Sequence, residues 1–166
     1  MQTIANILDT INEWIGRALA PLIALIALVV LYDIVLRYTT GRPSDWAFDV
    51  SKMLFGAHFM LMAAYALRHR AHVEVDVIKQ LLSRRRQAIV DILGYLIFFV
   101  PFIFLLLYYG WAFAERSFSR LETTPGMVAI PVYPVKMVLV VASVLILLQA
   151  ISIVLKAVIA LREDAR

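Results

Sequence analysis

The chain has 166 residues, 63% of them hydrophobic and 17% charged, with 16 Lys plus Arg against 12 Asp plus Glu and no cysteine. That balance, with a mean hydropathy of +0.84, is too apolar and too poor in charge for a soluble domain and identifies a membrane protein. The absence of thiols excludes disulfides, thiol catalysis and thiolate metal sites.

A bilayer core about 30 Å thick needs roughly 20 apolar residues in a helix. Residues 1–16 carry Asp9 and Glu13 but no basic residue, and the small run Ala18–Ala20 precedes the apolar stretch, so no cleaved signal is expected. The first span is predicted over about residues 16–37, with Asp33 near its end. A second, 46–67, has Asp49 and Lys52 in its first two turns. The third, 90–113, has nothing ionisable between Asp91 and Glu115, and the fourth, 135–157, is uncharged from Lys136 to Lys156. Met127–Val135 is too short to span; with Pro125, Pro131 and Pro134 it resists regular helix and is predicted as an extended or re-entrant loop. Turn signals at Gly41–Pro43 and Pro125–Gly126 fall where the apolar runs stop. Residues 1–166 therefore read as one all-α integral membrane domain of four transmembrane helices.

The net charge of +4 is local. Leu67–Arg86 holds six basic residues (Arg68, Arg70, Lys79, Arg84, Arg85, Arg86) and two acids (Glu74, Asp76), and the rest of the chain is balanced. This argues against nucleic acid as a partner. Four spans put both termini on one side. The termini and middle loop carry ten Lys and Arg against six in the two other loops, so the positive-inside rule places the termini in the cytoplasm, where anionic headgroups attract the basic loop. Trp46, Trp111, Tyr38 and Tyr133 then lie at the outer interface, Trp14 and Tyr95 nearer the inner one. Val75, Ile78, Leu81 and Leu82 make one helical face between spans two and three, which predicts a short cytoplasmic interfacial amphipathic helix. The alternative is a solvated connector whose arginines fix topology.

Few residues could carry chemistry. Asp33 and Arg37 share a helix face, and near a span end they read as a structural pair or subunit contact before an ion-transporting one. His58 is the one histidine inside a span; with no second at matching depth for a bis-histidine haem, it reads as a satisfied packing residue. His69, His72 and Asp76 could hold a metal if helical, but such pairs are common in basic interfacial loops. Gly56, Ala57 and Ala63, with Ala64, would let another helix approach span two closely, unless they are ordinary membrane composition. No phosphate loop or nucleophile–base pair is evident, and no cofactor is expected. By elimination the chain is a membrane partner, neither an enzyme nor a self-sufficient carrier.

Several stretches together resemble the small membrane subunit of TRAP (tripartite ATP-independent periplasmic) transporters, the DctQ-like family. They are LRY (Leu36–Tyr38), PSDW (Pro43–Trp46), GAHFMLMAAYALRHRAHVEVDVI (Gly56–Ile78), SRRRQAIVD (Ser83–Asp91) and IPVYPVKM (Ile130–Met137), in order over nearly the whole chain. Asp49 departs from the pattern, since such proteins more commonly have Glu there. The resemblance implies a bacterial inner-membrane system that imports organic acids on a sodium gradient. Its other parts would be a large membrane subunit and a periplasmic solute-binding protein, with this chain as scaffold.

The residues expected to make partner contacts are Arg37, Arg42, Trp46 and Asp49 on the periplasmic side. On the cytoplasmic side they are His72, Glu74 and Asp76 with Arg84, Arg85 and Arg86, for contact or topology. Gly56, Ala57 and Ala63 are expected to pack helices. The rivals are an autonomous four-helix ion-coupled antiporter working through Asp33, and a haem- or quinone-bearing anchor.

Overall fold

The computed structural model describes residues 2–69 and 82–163. Among them the regular elements are all helical, and four helical stretches are long and apolar enough to cross a membrane. A helix satisfies its own backbone polar groups, which hydrocarbon cannot do for it. The chain is thus an all-α, multi-pass membrane protein.

Helix α1 (Gln2–Leu19) and helix α2 (Leu22–Thr40) are parted at Ala20–Pro21. Pro21 has no N–H for the carbonyl four residues back, so the ladder breaks there. It restarts when the Pro21 carbonyl accepts from the amides of Ala24 (3.1 Å) and Leu25 (3.4 Å). Helix α3 (Ala47–Arg68) returns along α2. Helix α4 (Arg84–Gly94), a π turn (Tyr95–Phe99) and helix α5 (Val100–Ser119) form one continuous third span. The π turn accommodates Pro101: Val100 N–H reaches Tyr95 O, five residues back, and the widened turn moves aside the carbonyl that the pyrrolidine ring would strike. Helix α6 (Tyr133–Glu163) is the longest at 31 residues.

The spans do not close into a bundle. Helix α2 rests chiefly on α3; α3 on one hand, and α4 and α5 on the other, pack on α6. The resulting order is an open row, α2, α3, α6, then α4 and α5. Helix α6 is central: 39% of its apolar window is buried, against 6%, 11% and 6% for the other three spans. Helix α1 lies across the C-terminal parts of α3 and α6.

Helix α1 was not foreseen as a separate element. It buries Ala5, Asp9, Asn12 and Gly16 against its neighbours and leaves Ile4, Ile7, Ile11 and Trp14 exposed. Apolar groups outside and polar ones inside invert the soluble pattern, as suits a helix bordered by lipid. The interfacial helix expected between spans two and three, with Val75, Ile78 and Leu81, falls outside the described residues. Leu82 of that expected face sits at a bend.

Candidate functional site

At the other end of α3 from α1, the turn between α2 and α3 is built from its own short polar residues. Gly41 closes α2 in the left-handed region, φ 74°, where a Cβ would be strained. Asp33 reaches across the turn: its Oδ1 accepts the Ser44 amide at 2.7 Å, and its Oδ2 lies 3.3 Å from Arg37 Nη2. Ser44 Oγ in turn accepts the Ala47 amide at 2.9 Å, satisfying a free donor at the start of α3. Trp46 stacks on Tyr32 with ring centres 5.6 Å apart. Asp33 is therefore occupied as the brace of a turn. Arg37, its side chain 60% exposed, and Arg42 point to solvent.

The second loop, 120–132, approaches the first turn of α3 at Asp49. Leu121 N–H bonds Phe118 O and Glu122 N–H bonds Ser117 O, both at 3.1 Å. This is a Schellman cap, with Leu121 at φ 46° in the position glycine usually takes. Thr123 bridges Pro131, and buried Thr124 accepts the Ile130 amide on its hydroxyl at 3.1 Å. Lys136 Nζ lies 2.5 Å from Glu122 and 4.1 Å from the centre of the Phe113 ring. The hydrogen bond from Lys136 holds the Glu122 carboxyl below the ordinary carboxylate range. Asp49 pairs with Lys52 at 3.0 Å, and a Cβ on Gly126 would stand 3.2 Å from Asp49 Oδ2. Arg37, Arg42, Trp46 and Asp49 are thus gathered on one end of the protein, Arg37 and Arg42 with the freest side chains.

At the other end, Arg85 and Arg86 are exposed in the first turn of α4, which holds no acidic residue. Arg84 opens that helix, and its side chain, like His72, Glu74 and Asp76 as a whole, lies outside what is described. His69 Nε2 is 2.9 Å from Glu13 Oε2. Among the described residues no group of three or more His, Cys, Asp and Glu could hold a metal. Gly56 has open space where a Cβ would stand, and Ala57 and Ala63 are partly exposed, whereas Ala64 is buried within the chain. His58 corrects the expectation of a satisfied histidine: its Nδ1 is buried with no hydrogen-bond partner among the described residues.

The most developed polar cluster in the protein was missed by the sequence reading. Gln149 Nε2 donates to Asp9 Oδ1 at 3.0 Å, and Ser152 Oγ lies 2.6 Å from the same oxygen. Lys156 Nζ contacts Asp9 Oδ2. An ionised carboxylate only accepts, so Gln149 must turn its amide nitrogen to Asp9 and its oxygen to Asn12 Nδ2, 2.7 Å away. That orientation leaves Asn12 Oδ1 buried and unpartnered. Arg68 Nη1 donates to the Asp9 carbonyl at 2.5 Å and pairs with Glu13 at 2.7 Å. The cluster fastens α1 to α3 and α6. Its sequence signal was Gln149, Ser152 and Lys156 at i, i+3, i+7, facing Asp9 and Asn12 at i, i+3.

No curated protein matches the chain. A family does: the DctQ component of tripartite ATP-independent periplasmic transporters, over residues 26–160.

Proposed function

Because the chain belongs to the DctQ component family of tripartite ATP-independent periplasmic transporters, we propose that it is the small scaffolding subunit of such a transporter. It sits in the bacterial inner membrane with both termini cytoplasmic. Its partners are a large membrane subunit, which carries the solute and the sodium that drives it, and a periplasmic solute-binding protein. The cargo is an organic acid. The observation that carries the reading is the open row of spans. Four helices that leave most of their apolar surface uncovered are suited to lie along a larger membrane protein, and they enclose no route for a hydrophilic solute. On this reading Arg37, Arg42, Trp46 and Asp49 face the periplasm beside the docking binding protein. Gly56, with the space beside it open, and Ala57 and Ala63 offer α3 to the large subunit. The arginines opening α4, with His72, Glu74 and Asp76, lie on the cytoplasmic side.

The reading is tested by purifying the full chain under mild detergent from its native membrane and identifying what comes with it. A many-span protein recovered in stoichiometric amount supports it. Sodium- or proton-coupled flux from liposomes holding this chain alone, abolished by Asp33→Asn, would replace it with the antiporter.

A further inference from the structure

Most carboxylates of the described turns and helix ends are paired within the chain: Asp9, Glu13, Asp33, Asp49 and Glu122 each meet a cation. Glu115 is different. It is exposed on α5, about one turn from the helix end, and has no partner among the described residues. It stands at one end of a shallow, open groove of about 500 Å³ along one face of α5, lined otherwise by Phe104, Leu107, Tyr108, Trp111 and Ala112. These positions, i, i+3, i+4, i+7, i+8 and i+11, form one stripe along the helix. At 1.5 Å per residue the stripe is about 16 Å long, roughly half the thickness of a bilayer core.

Polarity is graded along it. The charge stands at the loop end, level with Lys136 against Phe113; Trp111 and Tyr108 come next, 54% and 65% exposed; below them are only Leu107 and Phe104. A membrane-spanning protein partner would not require charge at one end and unbroken hydrocarbon at the other. A phospholipid has that gradient. Glu115 repels an anionic headgroup and accepts hydrogen bonds from an ammonium, which the faces of Trp111 and Tyr108 also attract. The next residue, Arg116, lies off the stripe and folds back along the helix, its Nε donating to the Ala112 carbonyl at 3.0 Å.

We propose that this groove on α5 binds a phospholipid with a primary-ammonium headgroup, phosphatidylethanolamine. Glu115 takes the ammonium, and Phe104 and Leu107 line an acyl chain.

The test uses the full chain in nanodiscs of equal phosphatidylethanolamine, phosphatidylcholine and phosphatidylglycerol, with retained lipid counted by native mass spectrometry after extraction. Phosphatidylethanolamine is expected to be enriched at least three-fold over the other two. Glu115→Gln and Trp111→Leu should bring that ratio to about one, whereas Glu115→Asp and the exposed-loop control Asp45→Asn should keep it. Circular dichroism confirms that each variant is folded. Equal retention of the three lipids, or enrichment that survives Glu115→Gln, overturns the proposal. In a separate purification from the native membrane, a Glu115→Gln variant that keeps its lipid but loses a co-purifying membrane protein also overturns it and gives the groove to a protein partner. Because the nanodiscs hold this chain alone, failure there leaves the scaffold role untouched.

Discussion

Gly16 and Tyr65 show how close α1 comes to α3. A Cβ on Gly16 would fall 2.1 Å from Tyr65 Cδ2 and 2.9 Å from its Cβ, so the obstruction includes the rigid root of the side chain as well as the ring. Gly16→Ala is expected to cost about 1–3 kcal/mol, the usual penalty of overpacking, seen as a lower melting temperature in detergent. Asp9 makes a second test. Removing it strands Lys156, Ser152 and Gln149, but the Lys156 side chain is 42% exposed and can turn to water. The loss on Asp9→Ala is therefore expected nearer about 1–3 kcal/mol than the 3–5 of a fully buried pair. Lys156→Met, which leaves the buried Asp9 carboxylate with two neutral donors and no cation, should cost at least as much. The Asp33–Arg37 pair was legible from spacing alone, since i and i+4 meet on any helix. Asp9 and Lys156 were not, because nothing local says that residues 147 apart will face each other.

The loop 120–132 argues at the level of a whole turn. Its prolines predict an extended course, and the bridge of Thr123 to Pro131 agrees, with α6 starting at Tyr133. Its cap does not follow from composition, because Leu121 occupies a left-handed position with no glycine to announce it. An L-residue there costs about 1–2 kcal/mol, part of which glycine returns through its greater unfolded freedom. Leu121→Gly should thus stabilise by about 0.5–1 kcal/mol, measured as a rise in thermal midpoint. The Glu122 carboxyl is held below its ordinary value of 4.5 by Lys136. Its contribution is therefore fully present above about that ordinary value and lost as pH falls through the lower, folded one. Hydrogen exchange of the Val132 amide, which bonds Glu122 O at 2.9 Å, should accelerate relative to its intrinsic rate below that range. Lys136→Met should weaken the effect.

The arrangement of the four spans follows from α6 packing extensively on both halves of the row. Deleting residues 2–19 should leave the spans inserted but loosen α3 from α6 at the end that α1 straps, detectable as faster proteolysis near Arg68. Four apolar runs and their order were readable beforehand, because a hydrocarbon solvent imposes a length and an apolar character on any helix that crosses it. A row was not readable. In lipid both faces of a helix are apolar whether or not another helix covers them, so hydropathy carries no sign of which side is packed.

The amino-acid order alone settles how many times this protein crosses the membrane, where it turns, and to which family it belongs, since these depend on local hydropathy and short motifs. Which polar groups lie hidden, which helix sits at the centre, and where an unpaired carboxylate meets a greasy groove emerge only when distant segments come together. Those contacts depend on three-dimensional proximity, which the linear spacing of charges and small residues does not encode.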